Sequence, residues 1–323
     1  GTTTDSGDFN LNSGGTLIGA YQGPTHYFDG YIADLRIVNG TAVYTSNFTP
    51  PTTTLTSTGS ETKLLICQYS GAVRNVGFVD DSKYNHQITR TGDVSMGTFS
   101  PFSAEEGYWS NYFDIGENEY VTFADSSNDL DIGGADAHIE LWYRPAGTGT
   151  QVMVGKHGGA SSWSTSNGFE YQIALVSNKL RINYNAGGSS ANINSTTDVT
   201  DPDKWYHVAL ATDSSNNIAL FIDGTREATA VNAITKPTTR TNFIVGADIG
   251  GNDTEGYISN LRHISGSNAY DPTQSSITVP TEVLTAITGT QILTANSNSF
   301  KDLSTNNLTP TVANTPKVLP FSP

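Results

Sequence analysis

Ala137-His138-Ile139-Glu140-Leu141-Trp142-Tyr143 alternates without a break. Ala137, Ile139, Leu141 and Tyr143 point one way and His138, Glu140 and Trp142 the other, the period-two pattern of a β-strand. The same period continues downstream. Phe169-Glu170-Tyr171-Gln172-Ile173-Ala174-Leu175-Val176 alternates, Ser177-Asn178 supplies turn chemistry, and Lys179-Leu180-Arg181-Ile182-Asn183-Tyr184 completes a hairpin signal. Trp205-Tyr206-His207-Val208-Ala209-Leu210-Ala211 and Ile218-Ala219-Leu220-Phe221-Ile222 are apolar on both faces. They predict two strands lying centrally in a sheet covered on both sides. The loop Asp213-Ser214-Ser215-Asn216-Asn217 joins them, and Asp223-Gly224, which tolerates positive φ, closes the next hairpin. No run carries capped helical periodicity over three turns, so the chain reads as all-β.

Composition agrees and removes several classes of function. The 323 residues allow about two domains at roughly 100–200 residues each. Hydrophobic residues make up 36% and aromatic residues 10%, enough for a core and too many for a disordered polyampholyte. Sixteen Lys+Arg against 31 Asp+Glu leave a net charge of −15, with no basic cluster to hold a phosphate backbone, so nucleic acid is not an expected partner. No run approaches the roughly 18 apolar residues of a membrane helix. Gly1-Thr2-Thr3-Thr4-Asp5 is not the start of a signal peptide. Cys67 is the single cysteine, so no internal disulfide forms.

An internal repeat is the most informative feature. Gly30-Tyr31-Ile32, Leu35-Arg36, Gly40 and Tyr44 recur as Gly256-Tyr257-Ile258, Leu261-Arg262, Gly266 and Tyr270. Upstream, Leu17-Ile18-Gly19-Ala20 answers Ile244-Val245-Gly246-Ala247. Downstream, Phe78, Asp80, Ser82, Asn85 and Phe99-Ser100-Pro101 recur as Phe300, Asp302, Ser304, Asn307 and Phe321-Ser322-Pro323. The expected organisation is therefore tandem. Residues 1–45 read as the C-terminal part of a first module and 63–271 as a complete module. Residues 291–323 read as the opening strands of a further one. The Pro/Thr/Ser-rich stretches 46–62 and 272–290 read as linkers. On this reading the chain is a window on a longer polypeptide, or a processed piece whose ends pack on neighbours.

Tyr112-Phe113-Asp114, Ile139-Glu140-Leu141-Trp142, Trp205-Tyr206-His207-Val208-Ala209, Phe221-Ile222-Asp223-Gly224 and Gly256-Tyr257-Ile258-Ser259-Asn260-Leu261-Arg262 resemble, in order and spacing, laminin G-like modules of the concanavalin A-like lectin/glucanase superfamily. The form Phe28-Asp29-Gly30-Tyr31-Ile32-Ala33-Asp34-Leu35-Arg36-Ile37 is most similar to the arrayed modules of tail-fibre and other virion proteins of bacteriophages. The resemblance implies an antiparallel two-layer β-sandwich, a jelly roll, in tandem modules. It also implies that Trp142 and Trp205 fill the space between the sheets, and that Gly30 and Gly256 let strands approach closely.

Three chemistries merit a site. Glycosidases of the superfamily need paired carboxylates. Asp114, Glu117 and Glu119, with Asp129 and Asp131, do not match the Glu-x-Asp-x-Glu spacing and read as a solvated face, so no enzyme is expected. Calcium wants six to eight oxygens. Asp248, Asn252, Asp253 and Glu255, in a Gly-flexible loop, are the candidate ligands, with an ordinary acidic turn as the alternative. Sugar binding needs an aromatic plate beside amides. Trp163 and Asn167 in a Gly/Ser loop are the candidates, with Tyr27 and His26 in a similar loop of the first module. The alternative for Trp163 is a cap on the sandwich or a contact with a neighbouring module. The function expected is that of a non-enzymatic, extracellular structural and adhesive protein. Its setting would be a bacteriophage appendage, tail fibre or decoration, that contacts host surface glycans, other virion proteins or other copies. A purely structural spacer or filament subunit assembling through edge strands, or a bacterial surface adhesin, is the competing reading.

Overall fold

The computed structural model describes residues 16–20, 26–28, 30, 32–68, 79–89, 91, 108–125, 129–158, 168–236, 240–248, 250–267 and 269–323. The chain divides into two compact units, Gly1–Phe102 and Ser103–Pro323. No helix occurs among the described residues.

The first unit contains β1 (Leu35–Val38) and β2 (Thr62–Ile66), paired antiparallel. The second begins with β3 (Ser110–Phe113), β4 (Tyr120–Ala124), β5 (Ala137–Pro145) and β6 (Gln151–Gly158). It continues with β7 (Phe169–Val176), β8 (Lys179–Ala186), β9 (Ser189–Asp198), β10 (Tyr206–Thr212), β11 (Asn217–Ile222) and β12 (Thr225–Val231). It closes with β13 (Arg240–Val245), β14 (Gly256–Ser265), β15 (Thr290–Thr294), β16 (Pro310–Ala313) and β17 (Lys317–Leu319). Eight strands form one sheet in the order β12-β11-β10-β5-β14-β3-β17, with β15 also on β14. Seven form the other, in the order β16-β4-β13-β6-β7-β8-β9.

Alternation explains which residues lie between the sheets. Ile139, Leu141 and Tyr143 of β5 meet Tyr171, Ile173 and Leu175 of β7, with Phe113, Phe123 and Phe243, in one buried cluster. Ser177 and Asn178 both take positive φ, 49° and 69°, as do Asp223 and Gly224, 47° and 81°, so both expected hairpin turns form. β10 and β11 are buried on both faces, as their apolar composition predicts. Their outer side, Ala209, Ala211, Ala219 and Phe221, is covered by Tyr270 and Ile277.

The expected place of two tryptophans is corrected. Trp142 stands opposite His207 and Ser259, on the side of β5 away from Ile139 and Leu141, and is half-buried. Trp205 is half-buried against Phe321, with ring centroids 5.3 Å apart. Period two dictates the first result, since Trp142 is out of phase with the inward residues of its own strand.

The module boundaries are corrected as well. Residues 291–323 do not open a further module: β15 pairs with β14, β16 with β4 and β17 with β3. Thr62–Ile66 belongs to the first unit, not to the start of the second. The stretch 272–290 is not a free linker. It crosses the outer face of the eight-stranded sheet, where Arg226 N–H donates to Ser275 O, Ile277 N–H to Gly224 O and Leu284 N–H to Asn260 Oδ1. Pro, Thr and Ser suit such a strap because it makes few strand-type ladders of its own.

What the two units share is a closing substructure. The β1–β2 register places Leu35 opposite Ile66 and Arg36 opposite Leu65, as β14–β15 places Leu261 opposite Thr294 and Arg262 opposite Leu293. Asp34 and Asn260 take φ of 51° and 49°, and Cys67 and Ala295 take 60° and 58°. The Asp80 carboxylate accepts from Leu65 N, Ser82 N, Ser82 Oγ and His86 N. Asp302 accepts from Leu293 N, Ser304 N, Ser304 Oγ and Leu308 N in the same pattern. Phe78 and Phe99-Ser100-Pro101 of the repeat lie outside the described residues.

At Gly256 φ is +145°, and a Cβ would collide with the Arg144 carbonyl oxygen of β5. Gly256→Ala is therefore expected to lower stability by about 1–3 kcal/mol. Urea denaturation measures this, and an unchanged midpoint would contradict the close approach.

Candidate functional site

The acidic loop after β13 does not gather its carboxylates. Asp248 Oδ1 accepts from Gly250 N (2.8 Å) and Asn252 N (3.0 Å), and its Oδ2 accepts from Asn252 Nδ2 (2.7 Å). Asp253 turns instead to the β3–β4 connection, accepting from Gly116 N and Asn118 N. The Glu255 carboxylate lies over Gly147, where a Cβ would overlap it. Among the described residues no group of three His, Cys, Asp or Glu side chains could hold a metal ion. Both oxygens of Asp248 and Oδ2 of Asp253 thus accept hydrogen bonds from within the protein, while Asp253 Oδ1 is buried with no hydrogen-bond partner among the described residues.

Of the other acidic candidates Glu117 and Asp129 are exposed, as a solvated face requires, and Asp114 is half-buried, whereas Glu119 and Asp131 are buried. Glu119 is 3% exposed, with Asp114 N–H donating to Oε2 and Thr315 O–H to Oε1. Asp131 is 2% exposed and lies 3.6 Å from Lys156 Nζ and 3.4 Å from Lys236 Nζ. Lys156, itself buried, also pairs with Asp125. Glu170 sits beside this group and accepts from Ile132 N and Gly133 N. Burial, and then the Asp131 charge, push its carboxyl up to about 7.

The expected sugar-binding residues fall in different places. His26 and Tyr27 belong to the first unit, both exposed, with Tyr27 bridged to Ala20. Trp163 and Asn167 lie outside the described residues, in the connection between β6 and β7.

A polar face that these candidates did not include lies on the outer side of the seven-stranded sheet. Gly155, Gln172, Asn183 and Asn192 stand in one cross-strand row over β6, β7, β8 and β9. Arg181 and Asn194 form the next pair on that side. Gly155 makes room for the His157 ring, which a Cβ would strike. Two hydrogen-bonded chains result. Asn183 Nδ2 donates to Gln172 Oε1 (3.2 Å), whose amide lies 3.5 Å from His157 Nε2. Arg181 Nε donates to Asn194 Oδ1 (2.7 Å), and Asn194 Nδ2 to Asn192 Oδ1 (2.9 Å). Burial pushes His157 down to about 4, so it is neutral at pH 7. Gln172 and Asn183 are buried, whereas Asn192 and Asn194 are exposed at the β9 edge. Amides both donate and accept, which suits them to hydroxyl-rich ligands. The signal was present in the alternation of 169–184, whose polar phase is Gln172, Arg181 and Asn183.

A second polar cluster lies on the outer side of the other sheet. Arg262 donates to Glu140 Oε1 from Nε (2.9 Å) and Nη2 (2.5 Å). Tyr270 O–H donates to Glu140 Oε2 (2.7 Å), and His207 Nε2 lies 3.2 Å from the same oxygen. All four residues are 9% exposed or less, so this is a closed network rather than an open site.

Glu170 ties stability to pH. Its folded value lies above the ordinary carboxylate range, so the unfolded chain releases that proton first. The contribution is complete below about pH 4.3 and is lost as pH rises toward 7. Glu170→Gln is expected to become more stable relative to the parent as urea denaturation moves from pH 5 to pH 8. Parallel curves at both pH values would contradict this. A chelator is expected to leave the melting temperature unchanged, and a downward shift would assign a metal to the loop.

Residues 115–267 match the family model described as the concanavalin A-like lectin/glucanases superfamily. No curated protein matches the sequence. Among solved structures the chain is similar to a heptameric SAP-like pentraxin from Limulus polyphemus, with 14% identity over 54% of this chain and 82% of that one, TM-score 0.39. It is similar to the CBM40 of Ruminococcus gnavus IT-sialidase, with 13% identity over 50% of this chain and 94% of that one, TM-score 0.39. It is also similar to the binding domain of botulinum neurotoxin DC in complex with SialylT, with 15% identity over 62% of this chain and 47% of that one, TM-score 0.39. The matched residues carry β4 through β14 of the sandwich, so the likeness to laminin G-type modules of that superfamily covers the greater part of both sheets.

Proposed function

We propose that the sandwich of residues 103–323 is a non-catalytic carbohydrate-binding module of an extracellular adhesive or structural protein. The observation that carries this reading is the row of amides on the outer side of the seven-stranded sheet, opening at Asn192 and Asn194 beside Arg181. The match of residues 115–267 to the concanavalin A-like lectin/glucanases family model supports it, because lectins are part of that superfamily. Two of the acidic residues raised as acid/base candidates support the non-catalytic part. Glu119 and Asp131 are engaged in internal hydrogen bonds or ion pairs. In the full proposal Trp163, on the chain between β6 and β7, stacks on the sugar while the amides hold its hydroxyls.

The setting we propose is a virion appendage of a bacteriophage, a tail fibre or decoration. There, weak contacts with host surface glycans add over many copies, and tethering raises avidity by ~10²–10⁴. Sequence resemblance to arrayed virion modules is the support for that setting. The structural reading, a spacer or filament subunit joined through strand edges, is favoured by one specific observation, the edge of β1 that no strand pairs among the described residues.

A glycan array probed with the full chain tests the module. Binding to a defined glycan set is expected, with Asn194→Ala weakening it about three- to tenfold and Trp163→Ala weakening it as well. Binding undiminished by either change would remove the site. No binding to any glycan would remove the reading.

A further inference from the structure

The closing substructure occurs twice, and only one copy has its partner strand. β14 is held by β5 along one edge and by β3 and then β15 along the other. Its equivalent β1 pairs with β2, and among the described residues no strand pairs with its second edge. Side chains at matching positions register the same difference. Ile258, Leu261 and Ile292 are fully buried, whereas Ile32 is 40% exposed and Leu35 and Leu64 are only half-buried. Tyr270 is 9% exposed and its counterpart Tyr44 is 46% exposed.

Arginine adds a second, independent observation. Arg262 Nη1 donates to Thr285 O at 2.8 Å, and Arg36 Nη1 donates to Thr56 O at 2.8 Å. The two guanidinium groups are thus anchored alike at one nitrogen. Arg262 directs its other nitrogens to Glu140 of β5. Arg36 has no carboxylate partner among the described residues. What is missing beside β1 is therefore specified in both register and charge.

We propose that the edge of β1 left unpaired among the described residues is a docking site for an extended strand from a separate polypeptide segment. The strand runs antiparallel to β1, with alternating apolar side chains on one face and a carboxylate on the other that meets Arg36. The template is β5, where Glu140 stands opposite Arg262 and Ile139 opposite His263. In the docked pair a carboxylate stands opposite Arg36 and an apolar residue opposite Ile37. Main-chain hydrogen bonds along the edge supply affinity, and the alternating side chains with the charge pair supply specificity. A second copy of this chain is not the occupant. Its matching strand, β5, is already held between β10 and β14 and would have to leave its own sheet. The inference is independent of sugar binding, since it concerns the first unit.

The test uses the full chain and a fluorescein-labelled synthetic peptide with the sequence of residues 137–145. Saturable binding is expected at peptide concentrations below about 1 mM. Arg36→Ala in the protein, and separately Glu140→Gln in the peptide, should each weaken it about tenfold. The peptide substitution leaves the protein untouched, so a folding failure cannot imitate its effect. Absence of saturable binding, or binding insensitive to both changes, overturns the proposal. Light scattering supplies the other arm. Concentration-dependent self-assembly that Arg36→Ala abolishes and the peptide does not compete would assign the edge to a second copy, and would overturn it too.

Discussion

The pairing of β14 with β5 is the constraint on which the larger unit depends. At that junction Arg262 stands opposite Glu140 and, one residue on, His263 stands opposite Ile139. The two pairs point to opposite faces. A slip of one residue would carry the guanidinium and carboxylate between the sheets and turn Ile139 and Leu141 outward. The ion pair thus fixes register as well as contributing attraction. Burying it costs solvation, and burial by itself raises the Glu140 carboxyl. Hydrogen bonds from His138 and His207 and the charge of Arg262 outweigh that effect and hold it well below the usual carboxylate range. A carboxylate with this many donors stays ionised where a lone one would not.

The duplicated closing substructure separates local from tertiary causes. The Asp80 and Asp302 turns make the same four hydrogen bonds, although the surroundings of the two hairpins differ. Short-range side-chain acceptors and left-handed residues such as Asp34 and Asn260 are enough to set that backbone. Burial is not set locally. Leu17 is 62% exposed where its counterpart Ile244 is 1% exposed, because only Ile244 lies in a strand with neighbours on both sides. The same composition therefore produces a folded turn in both places and a filled core in one.

Much of the fold was legible because it is written in nearest-neighbour periodicity. The inward phase of β5, the Ser177-Asn178 and Asp223-Gly224 turns and the double-sided burial of β10 and β11 all follow from period two and positive φ. What was not legible depends on partners distant in sequence. The strap over residues 272–290 reads as a linker because its bonds go to Arg226, Gly224 and Asn260 rather than to its own neighbours. Asp248 and Asp253 look like metal ligands in one dimension. In space one folds into its own turn and the other reaches Gly116 and Asn118 across the unit. The polar row over β7 to β9 was readable strand by strand, but its assembly into one face required the register.

The two sheets divide their outer surfaces between opposite roles. On the eight-stranded sheet the strap from Tyr270 to Leu284 lays Tyr270 and Ile277 on Ala209, Ala219 and Phe221, and the charged centre beneath is closed to water. Nothing there can exchange hydrogen bonds with a ligand without first lifting the strap. The seven-stranded sheet carries its polar residues toward β9, whose outward positions, Asn192 and Asn194, are exposed. Arg181 fixes Asn194, and Asn194 fixes Asn192, so the amides are held in place before any ligand arrives. Preorganised polar groups at a sheet margin lose little entropy on binding and leave room for a large, hydrated ligand. The chemistry that holds the fold and the polar face proposed for recognition thus lie on opposite sides of one core, and a change at Asn192 or Asn194 leaves the Glu140–Arg262 junction intact.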